Sequence, residues 1–270
     1  MKPFEIYTLG RFSIVRHGMP LQHSRKAPHK PLLLLKALIA SGGRQVGNDY
    51  LASLMWPDKE GDLAHAAFDT TLHRLRKYLG SDSCLIVEDR CVSLNSELIW
   101  VDIWAFERDI RLVRADLGQF NRHRSAGAVA NHTQALLTAY QGHFLEREEA
   151  MHWSVSIRER LRHKYIHCLI DLGRYWEMQG QWNKAISCYQ KGIVVDDLVE
   201  TFYQRLMVCF VKMGRKPEAM AVYRQCRRTL SVVLGLEPMN DTLAIYQSIR
   251  SQYNITGQSS PLPHSISQQP

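Results

Sequence analysis

One predicted helix, from Asp62 to Leu79, carries the residues best suited to binding chemistry. Apolar residues at positions 68, 72, 75 and 79 recur at helical spacing and form its inward stripe, with Asp62 as the predicted N-cap. On the opposite face, arginine and lysine can bind phosphates and guanine edges, while threonine and histidine reach phosphates or bases. This pattern is compatible with contact with a nucleic acid, although taken alone it favours a solvated basic face. The outward side chains are His65, Asp69, Thr70, His73, Arg74, Arg76 and Lys77.

A solvated basic face would carry the same residues, so the neighbouring elements decide between the two interpretations. Two helices are predicted before it, Leu32–Ala40 and Asp49–Trp56, and a hairpin after it, formed by Leu85–Val87 and Val92–Leu94 with Arg90 near the tip. In such an arrangement one helix enters the major groove and the hairpin follows the backbone or the minor groove. The order of elements therefore favours DNA binding. The predicted contacts are Thr70, His73, Arg74, Arg76, Lys77 and Arg90.

A change of residue pattern near Val101 predicts two domains. Before it, Phe4–Leu9 and Phe12–Val15 alternate apolar and polar residues, as antiparallel strands do, and helical segments follow them. From residue 102 to about residue 253 nearly every stretch has helical periodicity. We therefore predict domains at 1–101 and 102–253, a surface loop at 118–128, and a disordered tail at 254–270 that is rich in Ser, Pro and Gln.

The second domain contains an internal repeat of 34 residues. Gly180, Ala185 and Tyr189 recur as Gly214, Ala219 and Tyr223, which is the tetratricopeptide period. Two copies are too few to fold alone, and further predicted helices, at 129–140, 154–172 and 241–252, supply the remaining layers. The predicted fold class is mainly α, an α+β N-terminal domain followed by an all-α, tetratricopeptide-like helical array.

Composition and motif content exclude several classes of protein. The 34 Lys and Arg exceed the 26 Asp and Glu, giving a net charge of +8 that favours an anionic partner. The chain has no apolar run of membrane-spanning length and no secretory signal, so the expected location is the cytoplasm, away from any membrane. The six cysteines form no CxxC pair and are expected to be reduced. Without HExxH, GxSxG, GxxxxGKS/T or Cys/His ligand spacing, no enzyme activity, metal or cofactor is predicted.

Several short motifs together carry a family resemblance over about residues 4–253. The N-terminal domain resembles the winged-helix domain of OmpR-type response regulators. The whole chain is similar to the SARP antibiotic regulatory proteins, in which a winged helix precedes a bacterial transcriptional activator domain. The motifs are Leu9-Gly10, Lys30–Leu38, Leu54–Pro57, Leu72–Lys77 followed by Leu79-Gly80, Val101–Glu107 and Leu234–Pro238.

This resemblance implies a sequence-specific transcriptional regulator of the activator type. The third helix would bind double-stranded promoter DNA, and the hairpin would form the wing. The loop before that helix would contact RNA polymerase through Asp58, Lys59 and Glu60. The helical domain would serve self-association, so a homo-oligomer is expected on DNA, and a protein or small-molecule effector could act there.

The sequence leaves one rival open, a tetratricopeptide-type scaffold that binds other proteins without sequence-specific DNA binding. The discriminating residues are Arg74, Arg76 and Lys77. A scaffold should tolerate their neutralisation, whereas a DNA-binding protein should lose affinity.

Overall fold

The computed structural model describes residues 2–21, 28–118, 126–148 and 151–257. They form two compact units that divide between Tyr165 and Ile166. The first unit holds the α+β part of the chain and the first helices of the array, and the second is helical. The predicted fold class, an α+β domain followed by a helical array, is confirmed.

The first unit is built on a four-stranded sheet in the order β3-β2-β1-β7. The strands β1 and β2 are antiparallel, as the alternation of residues predicted, whereas β7 lies parallel to β1. The alternation did not reveal β7 or the two-residue β3. The apolar face of the sheet packs into the core through the buried side chains of Ile6, Ile14 and Val101. The strands are β1 (Phe4–Tyr7), β2 (Ser13–Arg16), β3 (Met19–Pro20) and β7 (Ile99–Val101).

A second, three-stranded sheet has the order β4-β6-β5 and contains the predicted hairpin. Its members are β4 (Val46–Gly47), β5 (Leu85–Glu88) and β6 (Cys91–Leu94). Asp89 and Arg90 connect β5 to β6 with φ of 47° and 57°. Positive φ at both loop residues is typical of the type I′ turn that matches the twist of a hairpin.

Three helices complete the winged part of the fold, namely α1 (His29–Ala40), α2 (Asn48–Met55) and α3 (Gly61–Leu79). All three predicted helices are present. The predicted N-cap of α3 is wrong, because the helix begins one residue earlier and Glu60 occupies the cap position without a side-chain cap bond. Asp62 instead lies in the first turn, where a carboxylate favours the positive end of the helix dipole.

Three further helices belong wholly or partly to this unit, namely α4 (Asp102–Gly118), α5 (Ala126–Ala139) and the first part of α6 (His152–Met178). The buried Asp102 carboxylate accepts hydrogen bonds from the backbone amides of Thr8 and Leu9, at 2.6 and 2.7 Å. Of the loop predicted at 118–128, residues 119–125 lie outside the described residues. The loop prediction is wrong at residue 118, which belongs to α4, and at residues 126–128, where α5 has already begun.

Residues 140–148, here called the linking segment, join α5 to the chain before α6 and lie along the N-terminal sheet. Phe144 forms a β-bridge with Leu9, and the Gly10 amide donates to the His143 carbonyl at 2.9 Å. A Cβ on Gly10 would meet the Gln141 carbonyl oxygen at 3.1 Å, so glycine permits this close approach. The Arg158 guanidinium of α6 donates to the carbonyls of Phe144 and Leu145 at 2.7 and 2.6 Å.

The second unit contains the end of α6 and four more helices, and its repeat is visible in the backbone. Gly180 and Gly214 end equivalent helices with φ of +67° and +74°, a conformation that glycine adopts without steric cost. Ala185 and Ala219 are both fully buried. The helices are α7 (Trp182–Val195), α8 (Glu200–Lys212), α9 (Lys216–Leu234) and α10 (Asn240–Gly257).

The last helix, α10, extends beyond its predicted end. It continues to Gly257, so the tail predicted from residue 254 is wrong over its first four residues, and residues 258–270 lie outside the described residues. Within the described part of the chain, no helix combines the length and apolar character needed to cross a membrane.

Candidate nucleic-acid interface

The two faces of α3 differ as the sequence predicts. Phe68, Leu75 and the other apolar members of the stripe are buried against the remaining winged fold, since α3 packs on both α1 and α2. Within the described residues, His73, Arg74 and Lys77 are exposed and form no hydrogen bond or ion pair with another side chain. The exposed Thr70 hydroxyl donates to the Ala66 carbonyl at 2.9 Å, which leaves its oxygen free to accept.

Arg76 is placed differently from its neighbours. Its side chain is half-buried and points toward the hairpin, where Nη2 donates to the Leu85 carbonyl oxygen at 3.0 Å. Its Nε is buried without a hydrogen-bond partner among the residues that the structure describes. Because the side chains of successive helical residues point about 100° apart, Arg76 points away from the outward face on which Thr70, His73 and Lys77 lie.

The hairpin holds Arg90 at an exposed tip next to the start of α2. The Arg90 carbonyl accepts a hydrogen bond from the Asn48 amide at 2.8 Å, so the tip is tied to the helical part of the fold. Sequence reasoning did not predict this hydrogen bond or the one from Arg76 to the Leu85 carbonyl. Both partners are backbone groups, for which the sequence gives no signal.

His65 and Asp69 flank the outward face. The His65 imidazole lies 3.4 Å from the exposed carboxylate of Asp49 in α2, whereas Asp69 is exposed on α3. An exposed ion pair of this kind contributes little to stability. On α3 and the hairpin, the exposed cations without an ion-pair partner among the described residues are Arg74, Lys77 and Arg90.

The loop between α2 and α3 presents Asp58, Lys59 and Glu60 to solvent. The Lys59 amide donates to the Trp56 carbonyl at 3.1 Å, which fixes the turn, while none of the three side chains forms an ion pair within the described residues. No three His, Cys, Asp or Glu side chains of the described ranges are grouped so that they could hold a metal ion. The arrangement suits binding of macromolecules through exposed charge.

The fold and this face define a class, a winged helix followed by a tetratricopeptide-like array. Residues 101–250, more than half of the chain, match the family model of the bacterial transcriptional activator domain. The chain belongs to the bacterial transcriptional activator domain family, and its resemblance to SARP-type regulators is confirmed. Its family is one of transcriptional regulation.

The chain is also similar to two known proteins. The chain is 24% identical over 223 residues to the regulatory protein AfsR of Streptomyces griseus, which covers 80% of this chain and 22% of the relative. The chain thus spans about a fifth of that relative's length. Mycobacterium tuberculosis EmbR, solved in complex with a low-affinity phosphopeptide, matches with a TM-score of 0.65 and 19% identity, over 93% of this chain and 66% of that one. At this identity the likeness concerns the fold, and it includes the N-terminal domain.

Proposed function

We propose that this protein binds promoter DNA sequence-specifically through α3 and activates transcription. The observation that carries the proposal is the outward face of α3, where Thr70, His73, Arg74 and Lys77 are exposed and the two cations have no ion-pair partner among the residues that the structure describes. A helix of this width fits the major groove of B-DNA. Arg90 at the hairpin tip supplies the second contact, on the backbone or in the adjacent minor groove.

The four arginines and lysines of the predicted interface divide into two roles in this proposal. Arg74, Lys77 and Arg90 contact DNA, since their charges are exposed. Arg76 orients the hairpin, because its guanidinium is bonded to the Leu85 carbonyl and half-buried. Any DNA contact by Arg76 would use the part of the guanidinium that remains accessible.

The exposed loop of Asp58, Lys59 and Glu60 is the proposed contact with RNA polymerase. It immediately precedes α3, so a protein bound at a promoter would present it beside the DNA. A reporter assay with all three residues changed to Ala and with DNA affinity unchanged tests this role. Activation at the native level would exclude the loop from the mechanism.

We further propose that two protomers bind neighbouring half-sites on the DNA. A single DNA-binding module buries about 600–1,000 Å² of protein surface, less than most specific complexes use. The helical array is the proposed site of association between protomers and of effector binding. The expected operator is therefore a repeated motif whose copies are spaced by about one helical turn of DNA.

Selection of genomic DNA fragments by the purified protein, at one stated salt concentration, tests DNA binding. The wild type should enrich a short repeated motif, whereas Arg74→Ala/Lys77→Ala should not. On the selected operator, the double variant should also lower the slope of log affinity against log salt by about two.

A matched control is available on α9, where Arg224 and Arg228 are exposed and have no ion-pair partner within the described residues. Arg224→Ala/Arg228→Ala removes the same charge from a helix surface of the second unit. This variant should enrich the same motif as the wild type. Equal loss in both double variants would indicate non-specific attraction, and absence of any motif would favour the scaffold function.

A further inference from the structure

A cavity of about 570 Å³ lies in the first unit between α1 and the residues Leu145, Glu148, Met151, Trp153 and Ser154. This volume falls within the 300–1,000 Å³ typical of small-molecule sites. The cavity is outside the DNA-facing surface of α3 that the proposed function uses. Its walls are provided by Leu32 and Leu33 of α1 on one side and by Leu145, Met151 and Trp153 on the other.

The positive and negative charges of the described side chains at the cavity do not balance. Lys36 is neutralised by Glu148, whose carboxylate oxygens lie 2.5 and 2.6 Å from its Nζ, and its ammonium also lies 4.3 Å from the centre of the Phe12 ring. Lys30 also lines the cavity and is exposed. Its ammonium lies 5.8 Å from the centre of the Trp56 ring and, within the described residues, has no carboxylate partner. Among the described residues, Lys30 is therefore a cation without a carboxylate partner beside a largely apolar cavity.

A largely apolar cavity that has the ammonium of Lys30 at its edge suits a particular kind of ligand. The apolar walls favour a hydrocarbon body, because burying it removes apolar surface from water. The ammonium of Lys30 favours a single negative charge at the end of that body, since a charge-assisted hydrogen bond to an anion is stronger than a neutral one.

We propose that this cavity binds an amphipathic monoanion, a carboxylate on an apolar chain. The carboxylate lies at Lys30, and the chain lies among Leu33, Leu145 and Trp153. Such a ligand contacts α1 of the winged helix and the linking segment at once, on either side of the Lys36–Glu148 ion pair. Because it binds the folded state across two elements, it should raise the melting temperature of the protein.

Titration of the full chain with dodecanoate, below the concentration at which it forms micelles, tests this proposal by calorimetry. The wild type should show one saturable site.

Lys30→Glu should weaken binding at least tenfold, since it places a carboxylate against the ligand's carboxylate. Leu33→Trp should weaken binding, because the larger side chain occupies part of the cavity while Lys30 stays in place. Lys212→Glu, the same charge change at an exposed position of α8, should bind like the wild type.

The uncharged analogue dodecanol is the control for the headgroup and should bind at least tenfold more weakly than dodecanoate.

Absence of saturable dodecanoate binding would overturn the proposal. Equal binding of the alcohol would overturn the assignment of Lys30 as the anion contact. Binding that survives both Lys30→Glu and Leu33→Trp would place the fatty acid elsewhere, for example on the exposed Val232, Val233 and Leu236, and would also overturn it. None of these measurements involves DNA, so their outcome is independent of the proposed function.

Discussion

The outward face of α3 and the Glu177 cluster of the helical array both hold arginine, but they use its charge differently. In the Glu177 cluster, which comprises Glu177, Tyr189 and Arg205, the carboxylate accepts hydrogen bonds from the Tyr189 hydroxyl at 2.5 Å and from Arg205. On α3, Arg74 and Lys77 have no such partner among the described residues. Charges that are satisfied inside the fold stabilise it, whereas those left unsatisfied remain available to a ligand.

Among the single substitutions, removal of the carboxylate from the Glu177 cluster should cause the largest loss of stability. Glu177→Ala leaves the buried Tyr189 hydroxyl and the Arg205 guanidinium without their acceptor. We expect a loss of about 2–3 kcal/mol in the free energy of unfolding, less than for a fully buried pair because the Arg205 side chain is 34% exposed. Urea unfolding followed by circular dichroism measures it.

The matched control is Glu218→Ala, which removes an exposed carboxylate paired with Arg215 at 3.0 Å in the same array. This variant should leave the unfolding midpoint nearly unchanged. If both variants shift the midpoint equally, the Glu177 cluster has no special structural role and the contrast with α3 fails.

Alkaline pH should weaken the helical array through its thiols. Burial raises the pKa of Cys188, Cys209 and Cys226 from the ordinary 9.0 to about 12. Between these values the unfolded chain releases protons that the folded chain retains, so stability is intact below pH 9 and falls as the pH rises toward 12. The expected loss is about 1.4 kcal/mol per pH unit for each thiol.

Urea unfolding at pH 7, 9 and 10 measures this dependence, with Cys226→Ala as the comparison. The variant should show a shallower decline than the wild type, because one of the three titrating thiols is gone. A stability that does not change between pH 9 and 10 would contradict the assignment.

Loss of the Arg76 side chain should have a smaller effect. Arg76→Ala removes the hydrogen bond to the Leu85 carbonyl, and we expect a loss of about 1 kcal/mol in the free energy of unfolding. If Arg76 only positions the hairpin, the salt dependence of operator binding should keep the wild-type slope. A slope reduced by about one would instead identify Arg76 as a phosphate contact.

The smallest effect on stability should come from the outward face of α3. Arg74→Ala/Lys77→Ala should change the free energy of unfolding by less than about 0.5 kcal/mol, since both side chains are exposed and unpaired within the described residues. The same variant should lose operator affinity. Thermal unfolding without DNA measures the first expectation, and a loss of more than about 2 kcal/mol would show that these cations have a structural role.

Much of the winged fold and of the array could be predicted, because their signals are periodic in the sequence. The inward stripe of α3 follows from its spacing, and the two repeat copies follow from identical residues 34 positions apart. The missed strands β3, β4 and β7 have two or three residues each, too few for a period to appear. Their pairing depends on residues far away in the chain, as when Ile99 is placed beside Phe4.

For the candidate interface, the sequence determined which residue types are present, but it did not determine the role of each residue. The sequence determined a helix with an apolar stripe and a basic outer face, since side-chain direction along a helix follows from residue spacing alone. It also determined membership of the activator-domain family, through motifs spread along the chain. Only the tertiary structure separated Arg76 from Arg74 and Lys77, because a backbone carbonyl of β5, brought there by the fold of the hairpin, receives its guanidinium. Likewise, only the fold placed Lys30 beside a cavity, since the linking segment that closes it lies more than a hundred residues away in the chain.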